Sequence, residues 1–113
     1  MNPQIKVPTE LKLEDLPPRT MLPGFNGRFI HTSHTSHVFW EIDQGHELPE
    51  HSHPNEQVVT MLAGTFELRV DGVPHRLEPG KVLVIPPNVP HSGVAITDSR
   101  ILDVFTPPRE DYY

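Results

Sequence analysis

Gly45-His46-Glu47-Leu48-Pro49-Glu50-His51-Ser52-His53-Pro54-Asn55-Glu56-Gln57 is the stretch on which the reading of this chain turns. Side chains separated by one residue point the same way only from extended backbone, because a strand alternates its faces with period two. Pro49 and Pro54 bracket the histidine pair and bias the residues before them away from helix. Two imidazoles on one face offer two nitrogen donors to a divalent metal. Gln57 follows after a turn with an amide oxygen as a third donor. His91, in Pro86-Pro87-Asn88-Val89-Pro90-His91, is the candidate fourth. A His-x-His also suits a solvated surface loop, so the rest of the chain has to decide.

The chain has 113 residues, enough for one compact domain with a modest core. Its 14 prolines are more than twice ordinary usage. Long helices do not survive that density, and short strands joined by turns are the economical alternative. No apolar run reaches membrane-spanning length, and the N-terminus lacks the basic start and apolar stretch of a secretory signal, so a cytoplasmic protein is expected. The absence of cysteine excludes disulfides and thiolate ligands, which leaves nitrogen and oxygen donors for any metal. The net charge of −6, with no basic cluster, argues against a nucleic-acid partner.

Residues 1–26 carry Pro3, Pro8, Pro17, Pro18 and Pro23, which leave no room for a regular element of any length. They read as an N-terminal arm ahead of a barrel at 27–113. Ile5-Lys6-Val7 would be a short edge strand, and Leu11, Leu13 and Leu16 would pack in cis or onto a second subunit. Gly24 and Gly27 punctuate the entry to the first convincing strands, 28–33 and 37–43, a hairpin whose turn contains His34. Val38, Trp40 and Ile42 share one face of the second strand and mark it as core, with Phe39 opposite. His31, His34 and His37 recur at every third position. Ser and Thr flank each one and no apolar stripe accompanies them, so they read as solvated or cavity-lining side chains rather than a second metal site.

Further strands follow at 57–63, 65–70, 73–77, 82–85, 91–97 and 100–105. Phe66, Leu68 and Val70 alternate with polar neighbours, Asp71-Gly72 is a favoured two-residue hairpin turn, and His75 is expected to be exposed. Short strands at this spacing imply an all-β sandwich or barrel.

Gly45, His51, His53 and Gly64 match the first signature of the cupins, with Gln57 where that family usually has Glu. Gly80, Pro86 and His91 match the second, with Asn88 in place of a glycine and Ala95 in place of the terminal Asn. The chain therefore resembles a single-domain cupin. The resemblance implies a double-stranded β-helix, a jelly-roll barrel, with one divalent ion (nickel, zinc, manganese or iron) held by His51, His53, Gln57 and His91. Three neutral imidazoles and a neutral amide would leave the full charge on the ion, which favours polarisation of a bound carboxylate over redox use.

His-Ser-His-Pro-x-Glu-Gln, Ile-Pro-Pro-Asn-Val-Pro-His and the tail Asp-Val-Phe-x-Pro-x-Arg-Glu-Asp are similar to the pectin-degradation cupins of the KdgF type. Those proteins open 4,5-unsaturated uronates to linear keto acids, and their pocket Asp, Phe and Arg correspond to Asp103, Phe105 and Arg109 here. The residues agree with this independently. Asp103 lies in Ile101-Leu102-Asp103-Val104-Phe105, apolar on both faces, where a carboxylate is costly unless paired, hydrogen-bonded or functional. The structural alternative pairs it with Arg28, Arg69, Arg100 or Arg109. Arg109 is suited to clamp a substrate carboxylate in bidentate fashion, or else is a solvated tail charge.

The expectation is a metal-dependent isomerase or lyase-like enzyme acting on a small anionic sugar acid. Asp103 would move the proton, Arg109 would orient the acid group, and Phe105 or Trp40 would pack on the ring. A non-catalytic binding module and an iron dioxygenase are the alternatives. A homodimer is expected, because the arm has little core to join within so small a barrel and edge strands need covering.

Overall fold

In the computed structural model, residues 4–113 are described and form ten strands. They are β1 (Arg19–Leu22), β2 (Phe25–His31), β3 (Ser36–Ile42), β4 (Glu47–His51), β5 (Glu56–Ala63), β6 (Phe66–Val70), β7 (Val73–Leu77), β8 (Val82–Ile85), β9 (His91–Ala95) and β10 (Ser99–Thr106). A six-stranded sheet has the order β1-β2-β3-β10-β5-β8, and a four-stranded sheet the order β4-β9-β6-β7. Every pairing is antiparallel apart from an isolated parallel bridge between Ile5 and Thr32. The result is the all-β jelly roll that the resemblance implies.

Alternation of side chains builds the interior. On β3 the buried set is Ser36, Val38, Trp40 and Ile42, and on β10 it is Ser99, Ile101, Asp103 and Phe105. The four-stranded sheet supplies Phe66, Leu68, Leu77 and Ala95 from the opposite layer. β10 lies between β3 and β5, with Asp103 opposite Val38 on one side and Val59 on the other. That position places a carboxylate in the middle of the larger sheet.

The first hairpin differs from the sequence expectation. β1 fits into the proline-free stretch between Pro18 and Pro23, and it pairs with β2. Gly24 makes the turn at φ +78, where its missing side chain also leaves room for the His46 ring. β2 starts at Phe25 rather than 28 because Gly27 continues the strand. A Cβ at Gly27 would sit 2.9 Å from the Trp40 ring, so this glycine permits close packing instead of ending the strand. Leu13 and Leu16 are half-buried around a 3-10 turn at Leu13–Asp15, and the Leu16 carbonyl accepts from Arg28 Nε at 3.0 Å. Leu11 stays exposed. Pro3 lies outside the described residues.

The His34 turn forms as expected, joining β2 to β3. His75 is half-buried rather than exposed; β7 and β8 fall on the expected residues, β6 and β9 are shorter than expected, and β5 and β10 extend beyond their expected ends.

Candidate metal centre and its cavity

β4 carries the histidine pair only in part. It ends at His51, and His53 follows in the loop to β5. Pro49 sits inside β4 where the register with β9 shifts between Leu48 and His51, an edge-strand bulge that tolerates a missing N–H. Beyond the bulge His51 pairs with His91. This register joins the two signature segments, which lie far apart along the chain. Ring centroids are 4.2 Å apart for His51 and His91, 5.0 Å for His53 and His91, and 5.6 Å for His51 and His53. One ring nitrogen of each lies within 4.8 Å of the others.

Backbone carbonyls set the tautomers. A carbonyl can only accept, so the Nδ1–H of His51 donates to Pro49 O at 2.9 Å, that of His91 to Val89 O at 2.9 Å, and that of His53 to Asn55 O at 3.0 Å. Each neutral ring then keeps an unprotonated Nε2. Orientation of ligand histidines by such carbonyls is the usual support of a metal site. The Nε2 of His91 is buried with no protein partner. Burial lowers the His91 pKa to about 4, with the neighbouring His51 and His53 acting in the same direction, and burial likewise lowers that of His53. Burial thus favours the neutral form of the His53 and His91 rings.

Gln57 projects inward from β5, with Oε1 3.1 Å from His53 Nε2. Two lone pairs facing each other at that distance repel unless a cation lies beside both. The uncharged set of three Nε2 atoms and one amide oxygen fits a divalent ion.

Beside this cluster is a cavity of about 330 Å³, and the charged residues lining it are Asp103 and Arg109. Most of the remaining wall is apolar or aromatic, including Phe25, Phe66 and Phe105. Asp103 is buried, and its partner is the indole of Trp40, which donates to Oδ2 at 2.9 Å. Oδ1 has no hydrogen-bond partner. No arginine pairs with the carboxylate. Burial pushes its pKa up to about 6, against the opposing influence of the Gln57 amide, the Trp40 indole and the Arg109 charge.

Arg109 is buried, not a solvated tail charge. Its guanidinium lies 4.9 Å from the Phe105 ring centre and 4.2 Å from that of Tyr112. Its Nε and one terminal nitrogen already hold Asp111, at 3.0 and 2.7 Å. The lateral fork of Arg109 is thus engaged within the chain, which leaves the N–H groups of NH1 and the second of NH2. NH1 is buried and unpartnered.

Several contributors were invisible in the sequence. Asn55 ties the histidine loop to the tail, donating from Nδ2 to Pro107 O at 2.6 Å. Ser36 and Tyr112 also hold or line the tail side of the cavity. None of these belongs to a motif, and only their placement reveals them. His31, His34 and His37 do not meet. His31 is buried 2.7 Å from Ser36 Oγ, His34 is exposed at the turn, and His37 Nε2 lies 3.1 Å from Thr35 Oγ1. Among the described residues, the metal-compatible cluster is that of His51, His53 and His91.

The structure is similar to KdgF from a Halomonas species, with a TM-score of 0.89 and 27% identity over 95% of this chain and all of that one. An RmlC-like cupin from Shewanella frigidimarina matches with a TM-score of 0.84 and 30% identity, covering 88% of this chain and 91% of that one. Among curated proteins, H2HPP isomerase of Bacillus subtilis is 27% identical over 94 residues, 80% of this chain and 40% of its own length. Protein SchB of Streptomyces halstedii is 46% identical over 51 residues, 44% of this chain and 37% of its own length. The chain spans about two fifths of the length of these curated relatives. Among the described residues, no helix is long and apolar enough to cross a membrane. The cupin domain model matches residues 38–105, from β3 through Phe105 on β10, a span that contains both signature segments and the register joining them; the chain belongs to the cupin family.

Proposed function

We propose that this cupin is a metal-dependent isomerase that opens a 4,5-unsaturated uronate to a linear keto acid. The observation that carries the reading is the geometry of the cavity wall. Three unprotonated histidine nitrogens and the Gln57 oxygen converge beside a cavity whose charged residues are one unpaired carboxylate and one cation. The similarity to KdgF over nearly the whole chain supports the same reading.

His51, His53, Gln57 and His91 would hold one divalent ion. When bound, the ion would supply a positive charge that attracts and polarises the substrate's acid group. Arg109 NH1 meets the acid group from the other side, and Phe105 and Trp40 pack against the ring. Asp103, with a pKa raised to about 6, is mostly ionised at neutral pH and still protonates readily, which suits a group that takes a proton and returns it.

The proton balance is simple because substrate and product are isomers. Asp103 takes the proton of the anomeric hydroxyl, the bond between C1 and the ring oxygen breaks, and its electron pair stays on that oxygen. The resulting enolate takes that proton back from Asp103 at C4 and becomes a ketone at C5. Trp40 keeps Oδ2 of Asp103 fixed throughout, which leaves Oδ1 for the proton.

The test follows the ultraviolet absorbance of the conjugated double bond with metal-loaded protein, corrected for spontaneous opening. Accelerated loss supports the proposal. No acceleration with any of the four metals moves the reading to a non-catalytic binding module, and oxygen uptake with iron moves it to a dioxygenase.

A further inference from the structure

Residues 107–113 follow β10 and contribute Arg109 and Tyr112 to the cavity wall. Their backbone is held by three different parts of the barrel. Asn55 donates to Pro107 O at 2.6 Å, Arg109 N–H donates to Ser36 Oγ at 2.8 Å, and Arg19 donates to Tyr112 O at 2.7 Å. Ser36 is completely buried and rests against His31, so the anchor for Arg109 does not move with solvent.

The Arg109 side chain is then fixed from outside by Asp111. The carboxylate takes Nε and NH2, the lateral fork that best matches a carboxylate. It sits at the surface, with 60% of its side chain exposed against 9% for Arg109. The guanidinium plane is closed off by Phe105 and Tyr112. NH1 is left buried and without a partner.

We propose that Asp111 is a positioning residue: by occupying the lateral fork of Arg109 it fixes the guanidinium so that NH1, which has no partner within the protein, is held ready for the acid group of the substrate. This rests on the uronate reading for its substrate, but not for the geometry. Asp111 stays ionised for the task, because its hydrogen bond from Arg109 holds its pKa below the usual value. Without Asp111 the guanidinium is free to turn, and its order has to be supplied when the substrate binds.

The experiment uses Asp111→Ala in the full chain, with two readouts. The first is the nuclear magnetic resonance signal of the Arg109 Nε–H, assigned by its absence in Arg109→Ala and recorded without substrate. The signal is expected to be slow to exchange in the wild type and lost to exchange in Asp111→Ala. The second is steady-state kinetics on the unsaturated uronate. The expected change is a rise of about 5- to 20-fold in KM with kcat within about twofold, the pattern of lost ground-state binding. Asp111→Glu should recover part of both. An Nε–H that stays protected in Asp111→Ala, or a KM that is unchanged or lower, overturns the proposal. A melting temperature lowered by many degrees with kcat and KM both impaired would also overturn it, because Asp111 would then serve the fold. If the wild type does not turn over the uronate while the Nε–H signal still depends on Asp111, the positioning stands and the uronate reading alone fails.

Discussion

Replacing Asp103 by Asn should make the metal-free protein more stable at neutral pH while removing its activity. The substitution keeps the size of the side chain and an oxygen that can accept from Trp40 Nε1, and it deletes only the charge. Burial raises the carboxyl pKa from 3.8 to about 6, so the folded protein holds this proton to higher pH than the unfolded chain does. The contribution to stability is full below about pH 4 and is lost as pH rises through about 6. A shift of about two units, at about 1.4 kcal/mol each, corresponds to roughly 3 kcal/mol lost at pH 7. For a domain of this size that is a melting-temperature gap of roughly 10 °C. Thermal melts of the metal-stripped wild type and variant from pH 4 to 8 should therefore coincide at the acid end and separate progressively towards pH 7. Turnover should fall by about 10²- to 10⁴-fold, the usual weight of a positioned acid or base. Melting curves that coincide at pH 7 would refute the claim that a strained carboxylate is retained in the core, and turnover surviving the change would assign the proton to another group.

The double change His51→Ala with His53→Ala should abolish metal binding, read as metal content after dialysis; full occupancy would remove the metal assignment. Gln57→Glu should tighten divalent binding by adding a charge to the donor set, yet lower turnover at least tenfold, because the new carboxylate lies beside Asp103 and drives its pKa higher still. Undiminished turnover would show that the neutral amide is not needed. A homodimer is expected across the outer face of the six-stranded sheet, where Leu62, Val82 and Val84 are 44%, 57% and 55% exposed. Light scattering should show Val84→Glu shifting the mass towards a monomer, and a wild type already monomeric at high concentration would count against this interface.

The sequence made the strands legible wherever one face is buried. In Val38-Phe39-Trp40-Glu41-Ile42 the alternation could be read directly, because the face that packs is the face that carries the large apolar side chains. It was less informative where packing partners lie elsewhere in the chain. Gly27 looked like punctuation, since nothing local announces that Trp40 needs the space its side chain would take. Pro49 marks extended backbone in the sequence, but nothing local shows that it sits within a strand, where a bulge at the edge of the small sheet accommodates it. At the cavity, Asp103 could be singled out because its own neighbours are apolar, whereas its indole partner is 63 positions away. For Arg109 the sequence leaves a substrate clamp and a solvated tail charge both open, although Asp111 lies only two residues on. Spacing along an irregular tail does not fix which way two side chains turn, and it is the anchoring of the Arg109 backbone on Ser36 that brings them together.

Gln57 and Asp103 make sense as a pair. Gln57 stands between the histidine nitrogens and the Asp103 carboxylate, with its oxygen on the His53 side. A glutamate in that position would put two carboxyl groups within one apolar cavity, and like charges so close do not both ionise near neutral pH. Either Asp103 would stay protonated and lose its use as a base, or the glutamate would, and would then be a poorer donor to a cation. The amide avoids that competition. It gives an oxygen towards the histidines without a charge, and its influence on Asp103 opposes the effect of burial, so the carboxyl is raised only to about 6. On the proposed reading, the exchange of one acid for its amide would separate the two tasks of the cavity, holding a cation and moving a proton, with Asp103 the one carboxylate among the described residues lining it.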